Sequence, residues 1–123
     1  MARAPALTDN EALPEADKLE GVPHPRETTV LYGHQAAEKI FAAALNSEKV
    51  HHAWLLTGTE GIGKATLAYR VARAALARPE DRDPFGDSLH IEANCPAYRQ
   101  VTALSHPGLL VIRRGYDQKA KRF

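Results

Sequence analysis

Residues 54–65 read WLLTGTEGIGKA, a short apolar run that enters a glycine-rich turn and continues into an alanine-rich segment. Gly58, Gly63 and Lys64 fit the phosphate-binding loop pattern G-x-x-x-x-G-K-[ST] at every fixed position but the last. Glycines let backbone N–H groups close around an anion, and the helix that follows directs its positive end to the same place. Lys64 adds a mobile charge that can reach the outer phosphates. The stretch therefore predicts a phosphate-binding loop between a buried strand and a helix.

The last position of the pattern departs from it, because Ala65 stands where a serine or threonine would hold Mg²⁺. Thr66 carries a hydroxyl, but one residue further along a helix it points about 100° away. We therefore expect weak or vestigial binding of ATP or ADP and doubtful hydrolysis, with no catalytic residue and no metal ligand assigned. The predicted nucleotide-binding residues are Gly58, Thr59, Glu60, Gly61, Ile62, Gly63, Lys64, Ala65 and Thr66.

The composition is that of an ordinary soluble globular domain. Of the 123 residues, 44% are hydrophobic and 25% charged, and the formal net charge is +1, which argues against a bulk polyanion partner. No apolar run approaches 18 residues, so no membrane contact is expected. The single cysteine excludes a disulfide framework within the chain and fits a reducing compartment. A cytoplasmic location is therefore predicted.

Hydrophobic periodicity predicts three helices and two buried strands. The helices are expected at residues 35–46, 64–77 and about 96–104, and the strands at 53–57 and 109–112. In the second helix, Leu67, Val71, Ala74 and Ala75 are expected to face the sheet, while Arg70, Arg73 and Arg78 stay in solvent. This order predicts an α/β fold, a parallel sheet with flanking helices that opens a P-loop domain. Two strands cannot cover both helices well, so residues 28–123 are interpreted as the N-terminal portion of a larger domain.

The two ends of the sequence differ in charge. Residues 1–27 contain four prolines and six acidic residues with no sustained hydrophobic period, which predicts a disordered leader whose role the sequence does not indicate. The stretch from Arg113 to Arg122 carries five basic residues against Asp117. Contact with nucleic-acid phosphates and a simple solvated loop explain that stretch equally well.

Four separated stretches together resemble bacterial clamp-loader ATPases of the AAA+ class, the P-loop NTPase group. They are LYGH at 31–34, HHAWLL at 51–56, the loop with its helix, and HPGLLVI at 106–112. Within that class the ending Gly63-Lys64-Ala65 is more similar to the delta prime subunits of DNA polymerase III, whose nucleotide site is typically degenerate. The resemblance covers about residues 30–123.

The resemblance implies a subunit that helps to load the sliding clamp onto primed DNA during replication. Its implied partners are the gamma/tau and delta clamp-loader subunits and, through the complex, the clamp and DNA. It also implies that residues 30–34 lie near the adenine. The acidic metal motif, the sensors and the arginine finger of the class have no counterpart before Phe123.

Many members of this class carry a four-cysteine zinc module after the second helix. This chain has only Cys95 there, and the other candidate ligands, His90 and His106, do not form a close pair with it in the sequence. No zinc is therefore expected. Two other functions stay open: a self-sufficient P-loop ATPase or small-molecule kinase, and a module that senses ATP without hydrolysing it. Ala65 argues against the enzyme, because Mg²⁺ that bridges the outer phosphates is central to phosphoryl transfer.

Overall fold

The computed structural model describes residues 13–47 and 49–123. Their regular structure consists of three α-helices, α1 (Gln35–Asn46), α2 (Lys64–Leu76) and α3 (Pro96–Thr102), and one turn of 3-10 helix at Pro79–Asp81. All three predicted helices are confirmed, although α2 and α3 end one and two residues before the predicted ends. Among the described residues, no helix has the length and apolar character that crossing a membrane requires.

Helix α2 lies at the centre of the fold and packs against both α1 and α3. Phe41 and Ala42 of α1 and Ala97 and Val101 of α3 are buried, and Val101 has no exposed surface. Ile40 of α1 is 59% exposed, because α2 covers only one side of that helix. The buried cluster around α2 consists of Phe41, Ala42, Leu67, Ala74, Ala77, Leu89, Ile91, Cys95 and Ala97.

The predicted parallel sheet is not observed in the described residues. Both segments expected to be strands, 53–57 and 109–112, have no assigned secondary structure and expose large apolar side chains. Leu55 is 87% exposed, and Leu110 and Ile112 are 83% and 87% exposed. A strand needs a neighbouring backbone to pair with, and in the part of the chain that is described the only bridge pairs Asp117 with Arg122 within the basic stretch.

The described part of the predicted leader contacts the rest of the chain; residues 1–12 lie outside the described residues. The ring of His24 is fully buried and packs edge-on against Tyr69 of α2, with ring centroids 5.8 Å apart. Its Nδ1 accepts a hydrogen bond from the backbone N–H of Arg26, so Nε2 faces the nearby carboxylates. Residues 13–27 are thus held by specific contacts, which their proline and acidic content did not indicate. The domain boundary at residue 27 stays a prediction.

An ion-pair cluster joins the segment 13–27 to Arg113, the residue that directly follows the extended segment 109–112. Glu15 lies 3.1 Å from Arg26 and 3.3 Å from Arg113. Asp17 lies 3.0 Å from His24 Nε2 and 3.0 Å from Arg113. The acidic and basic ends of the sequence are therefore connected directly, and Arg113 is not free to bind a phosphate.

These contacts predict acid sensitivity. The hydrogen bond from Arg26 lowers the pKa of Glu15 below its ordinary 4.5, against the opposing effect of burial. Burial raises the pKa of Asp17, but the contacts with His24 and Arg113 outweigh it and leave the pKa below its ordinary 3.8. The folded-state pKa values are depressed, so the stabilisation is complete above the unfolded values and is lost as the pH falls through the folded ones.

We expect Asp17→Asn to lower the free energy of unfolding at pH 7 by roughly 1 kcal/mol, the upper end for a partly exposed pair. The difference from the native protein should shrink as the pH falls below 3.8 and through the depressed folded-state pKa, where the native carboxyl becomes protonated too. Urea unfolding of both proteins at pH 7, 5 and 3 measures this difference, with Asp87→Asn as the exposed control. Equal stability of Asp17→Asn and the native protein at pH 7 would contradict the prediction.

Candidate phosphate-binding site

The loop from Gly58 to Gly63 connects the extended segment 53–57 to α2. Gly61 and Gly63 have φ angles of 81° and 101°, in the left-handed region that favours glycine. A Cβ added to Gly63 would lie 2.9 Å from Leu31 Cδ1, so the Leu31 side chain would also have to shift. Thr59 and Glu60 form the exposed outer part of the loop, and the side chain of Ile62 covers Gly58. Gly61 is the glycine of the loop with open space around it, since nothing lies within 4 Å of a Cβ added there.

The N-terminus of α2 is open to an anion. Gly63 is the N-cap residue, no side chain caps the helix, and its first turn contains no acidic residue. The first intrahelical bond runs from Leu67 N–H to Gly63 O at 2.9 Å. The amides before Leu67 therefore have no acceptor within the helix, and the helix dipole adds positive potential at the same end.

Lys64 folds back over the loop. Its Nζ donates hydrogen bonds to the carbonyl oxygens of Gly58 at 2.7 Å and Thr59 at 2.9 Å. An ammonium group has three donors, so one remains for a ligand. The cation thus lies across the loop that leads into the uncapped N-terminus of α2.

The hydroxyl that would hold Mg²⁺ is missing from the exposed side of the helix. Ala65 is exposed, whereas Thr66, at 8% exposure, lies in the packed side of α2. Among the described residues, the only group of three side chains close enough to share a metal ion is Glu15, Asp17 and His24, outside the loop. The guanidinium groups of Arg26 and Arg113 already occupy those carboxylates. Within the described residues, the loop therefore contains no group of three His, Cys, Asp or Glu side chains that could share a metal ion.

The start of α1 forms the other wall of the site. His34 Nε2 lies 2.6 Å from the carbonyl oxygen of Ile62, which ties this wall to the loop. Together with Leu56, Lys64 and Leu67 it borders a cleft of about 110 Å³. Pockets that enclose a drug-sized ligand measure about 300–1,000 Å³. The cleft lies between α1 and the loop and is lined mostly by apolar side chains, and the position of a base beside residues 30–34 stays a prediction.

The other residues that the sequence singled out do not join this site. Cys95 is buried, and burial raises the pKa of its thiol. Neither His90 nor His106 belongs with it to a group of ligand atoms close enough for one metal, within the described residues. In the basic stretch, Asp117 and Arg122 exchange backbone hydrogen bonds of 2.7 and 3.3 Å, so the stretch closes into a small turn.

The predicted faces of α2 were wrong at three residues, one of which is Arg70: expected in solvent, its side chain is only 14% exposed. Arg73, expected in solvent, is only 3% exposed, whereas Ala75, expected to be buried, is exposed. The guanidinium of Arg73 donates to Arg26 O and to Thr102 Oγ1 and lies 4.5 Å from the centre of the Tyr98 ring. The spacing of Thr66, Tyr69 and Arg73 along a second stripe of the helix could have indicated a second packed face.

Comparison of the sequence with known proteins finds a matching family and a related protein. The family model described as "DNA polymerase III, delta subunit" matches residues 33–122, which include the loop and all three helices. A protein named DNA polymerase III subunit gamma, from Buchnera aphidicola subsp. Schizaphis graminum, is 36% identical over 50 residues. That match covers 41% of this chain and 14% of the relative, so the chain spans a small part of that relative's length. No solved structure matches.

Proposed function

This chain belongs to the DNA polymerase III delta subunit family, and from that membership we propose that it is part of a clamp-loader complex. In that role it helps to load the sliding clamp onto primed DNA during replication. The observation that carries the proposal is the family match, which spans 90 consecutive positions, residues 33–122. The similarity to a gamma subunit over 50 residues supports the same complex.

Within that complex we assign this chain the role of a delta prime subunit with a degenerate nucleotide site. Exposed Ala65 and buried Thr66 support the assignment, because neither offers a hydroxyl to a metal beside the outer phosphates. The loop amides and Lys64 keep the ability to hold a phosphate group. The chain then binds ATP or ADP weakly and does not hydrolyse it, while sister subunits supply the hydrolysis.

The proposed partners follow from the same role. They are the gamma/tau and delta subunits directly, with the sliding clamp and primed DNA reached through the assembled complex. The exposed apolar segments 53–57 and 109–112 support a chain that packs against further protein. Replication takes place in the bacterial cytoplasm, so we place the protein there.

Co-purification tests the proposal. A tagged full-length copy, expressed in its own cells and isolated at gentle salt, should bring down the gamma/tau and delta subunits in stoichiometric amounts. Lys64→Ala is the matched variant: it should assemble equally well, because the proposed contacts do not pass through the phosphate loop. A tagged copy that retrieves neither subunit would overturn the proposed role.

A further inference from the structure

Residues 114–123 form a basic turn that lies outside the phosphate loop. This basic turn contains four basic residues and one acidic residue, a net charge of +3, whereas the whole chain has a net charge of only +1. Its four cationic residues are all exposed: Arg114, Lys119, Lys121 and Arg122. The nearly neutral charge of the whole chain therefore conceals a local excess of positive charge at this turn.

The basic turn has a defined shape. Asp117 and Arg122 exchange backbone hydrogen bonds of 2.7 and 3.3 Å, so the chain reverses its direction between them. Arg114 Nη2 donates a hydrogen bond to Phe123 O at 3.2 Å, and the Phe123 ring packs edge-on against Tyr116 with centroids 5.3 Å apart. These contacts bring Arg114 next to the residue that follows Arg122, so the four cations belong to one small structural unit.

The acidic residue of the basic turn does not neutralise its cations. Asp117 Oδ1 instead accepts hydrogen bonds from the backbone N–H groups of Lys119 at 2.9 Å and Ala120 at 3.1 Å. Among the described residues, no ion pair includes a cation of the basic turn. Arg113, directly before the turn, is by contrast held by two carboxylates. The four cations of the turn are therefore exposed without a carboxylate partner.

We propose that the basic turn binds the phosphate backbone of DNA directly. Duplex DNA carries one negative charge for about every 1.7 Å of its axis and releases condensed counter-ions when lysine and arginine neutralise its phosphates. The choice of DNA among polyanions rests on the proposed function, which brings the chain to primed DNA. A lipid surface would favour aromatic side chains that are free to insert, whereas Tyr116 and Phe123 pack against each other.

The test measures binding of the full-length protein to a fluorescein-labelled primer–template DNA by fluorescence anisotropy, at a series of salt concentrations. The logarithm of the association constant should fall linearly with the logarithm of the salt concentration, with a slope of about −0.9 for each phosphate contact. The double variant Lys119→Gln with Lys121→Gln should make this slope shallower by about 2. It should also weaken binding at least tenfold at about 0.1 M salt, because two counter-ion releases are lost.

The matched control is the double variant Lys39→Gln with Lys49→Gln, which removes the same charge from two exposed lysines elsewhere in the chain. It should keep the slope and affinity of the native protein. Arg122→Gln is an independent single variant, and it should make the slope shallower by about 1. The proposal would be overturned by native protein that does not bind DNA, by equal losses in the two double variants, or by binding to phosphatidylserine vesicles without binding to DNA.

This titration uses the isolated protein, so its result does not depend on assembly with other subunits. A protein that co-purifies with the gamma/tau subunit but does not bind DNA would contradict the direct contact and leave the proposed role intact. A protein that binds DNA through the two lysines but retrieves no subunit would contradict the proposed role and leave the contact intact.

Discussion

Replacing Lys64 with alanine should lower the affinity of the full-length protein for ADP by about tenfold to a hundredfold. A hydrogen bond to a charged group is worth about 1.5–3 kcal/mol, and each 1.4 kcal/mol is about tenfold in affinity. Lys64 is the cation that lies across the loop, with Nζ bound to the carbonyls of Gly58 and Thr59 and one donor left for a phosphate. The loop amides alone would then hold the nucleotide.

Calorimetric titration with ADP in the absence of magnesium measures this loss. Lys39→Ala is the matched control, since Lys39 is an exposed lysine of α1 with the same charge and the same truncation. The control should bind as the native protein does. Unchanged affinity in Lys64→Ala would mean that this loop does not hold the phosphates.

Ala65→Thr should make ATP binding depend on magnesium. Ala65 is exposed and follows Lys64 in the first turn of α2, so a threonine there would present its hydroxyl at the open end of the helix. We expect magnesium to raise the affinity of this variant for ATP by at least about tenfold, since even outer-shell partners are worth about 10–100-fold in metal affinity. The native protein should show little such dependence.

The control for this gain is Ala68→Thr, the same substitution at the next exposed position of α2. It adds a hydroxyl away from the helix end and should leave the titration with magnesium unchanged. Equal magnesium dependence in both threonine variants would contradict the account, because the effect would then not depend on position.

The helices could be predicted from the sequence because their determinants are local. The apolar period of about 3.6 residues gave the start and end of α1 at the observed residues, Gln35 and Asn46. Proline at the start of α3 and glycine before α2 fixed where those helices begin. The phosphate loop is equally local, since its donors lie within a few consecutive residues of one another.

The sheet could not be judged in the same way. Apolar runs such as 53–57 predict a strand, but pairing depends on a neighbouring backbone that no local pattern supplies. In the described residues most side chains of 53–57 are exposed, and so are Leu110 and Ile112 of the other run, so neither run is covered on both faces. The sequence therefore identified segments with strand composition, while the structure shows no partner for them within the described part of the chain.

Buried charges were missed for a related reason. Arg73 is of a residue type that usually contacts solvent, and His24 lies in a segment that the sequence predicted to be disordered. Their burial depends on contacts distant in sequence, such as Arg73 with Arg26, 47 positions away. The contact between His34 and Ile62 O spans 28 positions and likewise could not be read from spacing. Contacts of this kind form the wall of the cleft beside the loop, whereas the loop itself depends on residues close together in the sequence.

The central claim is that the loop binds phosphate without using a metal. Calorimetric titration of the native full-length protein with ATP, with and without magnesium, beside a phosphate-release assay, tests it most directly. We predict weak binding of nearly equal affinity in both conditions, with negligible phosphate release. Tight binding that requires magnesium, with steady turnover by the unmodified protein, would contradict the claim and would favour a self-sufficient ATPase or kinase.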